Sequence, residues 1–395
     1  MAGALAAALP SPAPAAETAA LPLRHAFGRL GTYLNAAATH PVPHVAADAA
    51  AVAMRARVDR AAPQPARPDL RTAITRLINA AGPEDIGFVP STGLAEQAVA
   101  TALGLGPDRG VVTDALHFDG ALAMYGERAR RGMPLTIVRP RDGRILIDDV
   151  AAAIRPDTRL IALAQISNVN GFHHDIRAIC AMAHARGVLV FADVIQAVGA
   201  VPIDVRASGV DFCAASTYKW LMGDLGFAFL YVRPDVLARL PRPVVGWNQL
   251  SGVAIAGQQT RFDPPVDRDH WRFAPGVAGW IEAGQPSNVT AAATAASIAL
   301  LERTGIARIA AHRDALRSYA RAQLGALPGV EPLTPSGLST SIESFAVADA
   351  AKRFAAPFAR AGIAVGLYDN RIRLSPSLYN DRDDIDRLVA AMRHG

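Results

Sequence analysis

The chain has 395 residues, 51% of them hydrophobic and 19% charged, with a formal net charge of +5; this allows a large core and more than one domain. The charges are mixed along the sequence, and the densest basic run, Arg128, Arg130 and Arg131 before Gly132, reads as a solvated helix end rather than a nucleic-acid surface. No run is long and apolar enough to span a membrane, and two cysteines, Cys180 and Cys213, build neither a disulfide framework nor a zinc site, so a reducing, cytoplasmic setting is expected.

Residues 1–20 are rich in Ala and Pro and lack a basic start, so a disordered tail is expected there. From Asp85 onward, short apolar runs alternate with stretches of helical spacing. The expected strands are Ile86–Val89, Gly110–Thr113, Leu135–Val138, Leu160–Gln165, Val188–Asp193, Asp211–Ala215 and Phe227–Val232. The expected helices between them are Leu94–Leu103, Gly120–Arg131, Asp148–Ile154 and Ile176–Arg186. This alternation predicts an α/β fold, a mostly parallel sheet with helices on both faces. The last two runs are too close in sequence for a crossover helix, so one of that pair is expected to run antiparallel.

After Val232 the alternation stops. Pro234, Pro241 and Pro243 open an irregular stretch to about Pro286, which reads as a functional or interface loop. An Ala-rich helix, Asn288–Glu302, follows and leads into a smaller α+β domain. The expected division is a large domain over 46–287 and a small one over 288–395. Gly104-Leu105-Gly106 resembles a fragment of a dinucleotide loop, but it follows a helix and lacks the third glycine.

In open α/β sheets, ligands sit beyond the carboxyl ends of the strands. Ser91, His117, Asn168, Asp193 and Lys219 all fall at or just past the ends of separate expected strands. A carboxylate ending one strand and a lysine just past the next are the minimal equipment for pyridoxal phosphate: the lysine amine forms a Schiff base with the aldehyde, and the carboxylate keeps the ring nitrogen protonated. Gln196 follows Asp193 at the spacing of one helical turn and is the candidate to reach the phenolic oxygen; the alternative for Asp193 is a helix N-cap. Ser91, Thr92 and Gly93, between a strand and a helix, offer N–H groups and hydroxyls to a phosphate, or simple capping. Ser216 and Tyr218 are candidates to complete the phosphate cup.

At His117-Phe118 an aromatic ring would stack on the pyridine, with Phe118 as the choice and core packing as its alternative. Asn168 reads as a partner for the phenolic oxygen or the substrate carboxylate, or as a turn residue. Arg371 and Arg373 share one face of a strand. Arg373 is the candidate for a substrate carboxylate, since a planar guanidinium matches it, and a solvated edge is the alternative for Arg371. His173-His174-Asp175 has no further ligands at metal spacing, so no metal is expected.

These residues carry a resemblance. Asp193-x-x-Gln196 followed by Ser216-Thr217-Tyr218-Lys219-Trp220-Leu221-Met222-Gly223 is similar to the signature of class V aminotransferase-fold enzymes, the fold-type I pyridoxal-phosphate proteins that include cysteine desulfurases and isopenicillin N epimerase-like proteins. Thr32-Tyr33-Leu34-Asn35 resembles the family's substrate-side segment, which implies that residues 21–45 line the active site and that Asn35 meets substrate. Glu282-Ala283-Gly284-Gln285-Pro286 resembles a segment that reaches the partner subunit's cofactor phosphate, which implies a homodimer and a cofactor contact for Gln285. Arg371–Ser375 with Tyr379-Asn380 resembles the family's carboxylate-binding end.

The chain departs from the pattern at Tyr218 and Phe118, where histidines are usual, and at Gln285, where the family carries threonine. The loop around Gly337–Ser344 lacks the cysteine that a desulfurase needs. The expected function is therefore a pyridoxal-phosphate enzyme acting on an amino acid or amine through an external aldimine, with an aminotransferase placed first. A C–S lyase working by β-elimination or an epimerase is the alternative. A persulfide-forming desulfurase and a non-catalytic relative come behind.

Overall fold

The computed structural model describes residues 21–59, 69–251 and 271–393. The disordered tail expected over 1–20 lies outside the described residues, as does part of the irregular stretch after Val232.

A two-residue strand, β1 (Thr32–Tyr33), precedes the seven strands of the central sheet: β2 (Ile86–Val89), β3 (Gly110–Asp114), β4 (Leu135–Val138), β5 (Thr158–Ala164), β6 (Leu189–Asp193), β7 (Phe212–Ser216) and β8 (Ala228–Val232). Their order across the sheet is β2-β8-β7-β6-β5-β3-β4. All neighbours are parallel except β8, which runs antiparallel to both β7 and β2. That reversal is the one expected from the short Thr217–Phe227 connection, which leaves no room for a crossover. β2 and β4 have the bounds read from the sequence, and the other five strands differ from it by one or two residues at one or both ends. The helix expected from Leu94 starts at Thr92, because Ser91 caps it and Thr92 and Gly93 carry no apolar signal.

Both sheet faces are buried, as a parallel sheet requires. Along β5, Leu160 and Ala162 enter one core with Val111, Phe191, Phe212 and Leu230. Ile161 and Leu163 enter the other with Val112, Val190, Cys213 and Phe229. This alternation along near-continuous apolar runs hides the period-2 pattern in the sequence while satisfying it in space.

The C-terminal part begins with the helix Asn288–Thr304, capped by Ser287 and ended at Gly305, and continues with the helix Ile306–Gly325. It then forms an antiparallel sheet of β9 (Val330–Pro332), β10 (Glu343–Val347), β12 (Gly366–Tyr368) and β13 (Arg371–Leu374), ordered β12-β13-β10-β9. Between them β11 (Ile363–Ala364) pairs in parallel with β1, so the N-terminal segment is tied to the C-terminal part.

The turn between β7 and β8 is built tightly. Thr217 Oγ1 donates to the carbonyl of Asp224 at 2.8 Å, and the Gly223 N–H donates to the carbonyl of Thr217 at 2.9 Å. A Cβ at Gly223 would stand 2.4 Å from Thr294 Oγ1 and 2.8 Å from the Thr217 side chain. The Gly223→Ala variant is therefore expected to lose roughly 1–3 kcal/mol of stability, read as a lower urea midpoint, and to load cofactor more weakly; an unchanged midpoint would show that the turn has room to give.

Candidate active site

Lys219 sits in that turn, at the carboxyl edge of the sheet, and only 7% of it is exposed. The whole chain contains two lysines, Lys219 and Lys352. Lys352 is exposed on the helix Ala350–Arg360, so Lys219 is the buried one of the two lysines. Its ammonium forms no salt bridge within the described residues, and Nζ stands 5.7 Å from the centroid of the Tyr218 ring. Burial pushes its pKa down to about 8, against the pull of Asp193 and with a further push from Arg373.

Lys219 opens onto a cavity of about 360 Å³ whose wall also carries Ser91, Thr92, Gly93, Phe118, Asn168, Asp193, Gln196, Ser216 and Tyr218. The sequence reading thus assembles most of its candidate residues around one space. Asp193 is the last residue of β6 and is 3% exposed. Burial raises its carboxyl to about 6, opposed by His117 and by the Ile195 N–H, which donates to Oδ1 at 2.9 Å. Ser91 Oγ accepts from the Leu94 N–H, and Ser216 Oγ accepts from the Thr92 N–H at 3.0 Å. These caps leave the Gly93 N–H between them, and a Cβ built on Gly93 meets nothing within 4 Å. The result is an open anion cradle at the amino end of the helix Thr92–Ala102. Phe118 is 47% exposed on the wall.

Four candidates lie elsewhere. His117 is fully buried behind the wall, where its Nε2 meets Glu96 Oε1 at 3.1 Å, and Tyr125 donates to the same oxygen at 2.7 Å. Burial penalises the charged imidazole, but Glu96, with help from Asp193 and Asp114, outweighs that and raises its pKa. Arg373 stands behind Asn168, to whose carbonyl Nη1 donates at 3.0 Å. Asn35 is beside Ser375 through a backbone bridge, with Oδ1 buried and unpartnered. Gln285 lines a neighbouring groove that shares Leu94 and Gln97 with the cavity. Gln196 is on the wall, yet its amide is largely engaged: Nε2 donates to the Ala37 carbonyl and Oε1 accepts from the Trp220 indole. Sequence reasoning missed Glu96. Its signal was a carboxylate inside the stripe Thr92, Ala95, Glu96, Val99 and Ala100 that the helix buries. His174 and Asp114 pair with each other at 3.2 Å, and His173 meets the Ser339 carbonyl.

A buried lysine without an acid partner, a buried carboxylate, an open anion cradle and the unpartnered buried Oδ1 of Asn168 fit pyridoxal phosphate. Lys219 would hold its aldehyde carbon, Asp193 its ring nitrogen, Phe118 its ring face, and Gly93, Thr92 and Ser216 its phosphate. Fold and site together define a fold-type I pyridoxal-phosphate-dependent enzyme.

The class-V aminotransferase profile matches residues 32–388, and the chain belongs to that family. It is 31% identical over 346 residues to a cysteine desulfurase of Yersinia pseudotuberculosis, covering 82% of this chain and 81% of the relative. It is 27% identical over 340 residues to an uncharacterized aminotransferase of Bacillus subtilis, covering 82% and 83%. The crystal structure of the cysteine desulfurase CsdA from Escherichia coli superposes with a TM-score of 0.81 at 22% identity, over 94% of this chain and 96% of that one.

The amine must be neutral to attack an aldehyde, so the rate at which the apo-protein takes up pyridoxal phosphate should rise with pH through about 8. An inflection near the ordinary lysine value of about 10.4 would contradict the burial argument. Retention of cofactor should fall as pH drops through about 6, where Asp193 takes up its proton.

Proposed function

We propose that the protein is an aminotransferase acting on an amino acid. The bound cofactor would supply an electron sink for charge developing at the substrate's α-carbon. Lys219, freed by the incoming amine, would take the α-proton and return it two atoms along, at the carbon that carried the aldehyde, and its pKa near 8 suits both duties near neutrality. Arg373, set behind Asn168 yet near enough to Lys219 to lower its pKa, would hold the α-carboxylate, and the apolar wall of Ile166 and Phe118 would help exclude water.

The observation that carries this reading is what surrounds Lys219. Tyr218, the phenol on the wall beside Lys219, has its pKa raised by burial, so it offers no second base for epimerisation. Both thiols are buried, and burial pushes Cys180 up to about 12 and raises Cys213 as well. Neither can serve as the thiolate that accepts sulfur in a desulfurase. The segment Gly337–Ser344 carries no cysteine and is fastened: His173 meets the Ser339 carbonyl at 2.7 Å, Arg313 Nε donates to Thr340 at 3.0 Å, and Ser341 Oγ donates to the Gln196 carbonyl at 2.6 Å.

The 31% identical relative is named a cysteine desulfurase, an activity that removes sulfur from an amino acid; the second reading is the form of C–S cleavage open to a chain with no accessible thiolate, β-elimination with Lys219 as base. The proposal also includes a homodimer in a reducing, cytoplasmic setting. Exposed Leu94, Leu225, Val244, Val245 and Trp247 support it, since Leu94 and Val244 line the groove that holds Gln285. Among the described residues, no helix is long and apolar enough to cross a membrane.

Incubation with a panel of amino acids should convert the cofactor to its pyridoxamine form without release of sulfide. Pyruvate formed from cysteine or cystine with no amino acceptor present would favour elimination instead. The double variant Cys180→Ser with Cys213→Ala should keep wild-type turnover; loss of activity in a folded double variant would restore a thiol to the mechanism.

A further inference from the structure

Strand β13 presents two guanidinium groups on one face, Arg371 and Arg373, two residues apart. Neither has a carboxylate partner among the described residues. The contrast within the same domain is sharp: Arg317 and Arg321, on the helix Ile306–Gly325, both pair with Glu343. Arg373 is 4% exposed, and among the described residues its guanidinium donates to the Asn168 carbonyl. Its Nε is buried without a partner, and so is the Nε of Arg371. Both groups border the Tyr368 ring, Arg371 at 4.2 Å from the centroid and Arg373 at 5.7 Å. Gly366 leaves the space that Arg373 fills, since a Cβ there would stand 3.0 Å from its Nε.

Two like charges held side by side, one of them buried, repel each other and gain little from a single aromatic face. Burial presses the Arg373 guanidinium below its ordinary pKa, and Arg371 adds to that against the pull of Tyr368. An arrangement with this cost is balanced by an anion that meets both groups. Residues two apart on a strand are separated by about 6.6–6.8 Å, a span that two acid groups joined through two or three carbons can bridge.

We propose that Arg371 and Arg373 form a two-anion subsite, Arg373 taking the α-carboxylate and Arg371, laid on Tyr368, taking the side-chain acid, so that the substrate is an amino acid with an acidic side chain. This rests on the reading of Arg373 as the carboxylate partner in the proposed function. It goes beyond that reading by assigning Arg371 a role in selecting the substrate.

The test is calorimetric titration of the holoenzyme with succinate and with butyrate, a diacid and a monoacid of equal chain length that carry no amine and cannot turn over. Succinate should bind roughly ten-fold or more tightly. Arg371→Gln should bring succinate to the butyrate level and leave butyrate unchanged, while Tyr368→Phe, which keeps the ring, should keep the preference. Equal binding of the two acids to the wild-type enzyme overturns the subsite, even if no variant folds. So does an Arg371→Gln variant that weakens both acids alike, because that is the mark of a purely structural stack. Failure of the underlying reading shows differently: Arg373→Gln would then leave binding of both acids as it was.

Discussion

Keeping Lys219 out of water without an acid beside it is the constraint on which the rest of the site depends. A buried ammonium paired with a carboxylate would stay charged and inert as a nucleophile. Here Asp193 is close enough to be felt but forms no salt bridge with the lysine, so desolvation wins and the pKa settles near 8. The turn that carries the lysine is correspondingly rigid. Thr217 spans it, Gly223 closes it, and Trp220 and Leu221, the two residues after the lysine, are buried within it. The short link between antiparallel strands β7 and β8 thus does two jobs: it reverses the chain, and it sets one amine at the open edge of the sheet.

Behind the cavity wall a second layer holds the first. Glu96 accepts from both His117 and Tyr125, and His117 in turn opposes the rise in the Asp193 pKa. Gln196 ties three elements together: its amide bonds to Ala37 in the N-terminal segment and to Trp220 beside the lysine, and its carbonyl accepts from Ser341 in the C-terminal part. The N-terminal segment also donates from the His40 N–H to the Tyr218 carbonyl at 3.0 Å. Residues far apart in the chain therefore meet around the same turn.

Strand ends were legible in the sequence because apolar runs stop at chemistry-bearing residues: Val89 before Ser91, Ala164 before Asn168, and Asp193 and Ser216 as the final residues of β6 and β7. Topology then gathers them, and that rule is general for open α/β sheets. What the sequence did not disclose were side-chain directions set by distant partners. His117 turns inward because Glu96, on a different element, is buried opposite it. Gln196 spends its amide on Trp220 and Ala37. Arg371 read as a solvated edge because its relation to Tyr368 depends on cross-strand register, in which Tyr368 faces Arg371.

The central claim is that Lys219 carries the cofactor, and the chain's composition makes it directly measurable because only one other lysine exists. Borohydride reduction of the holoenzyme, followed by peptide mass mapping, should place the reduced pyridoxyl group on the peptide containing Lys219 and leave the Lys352 peptide unmodified. Pyridoxyl on Lys352, or on neither lysine in protein that retains its cofactor, would contradict the account.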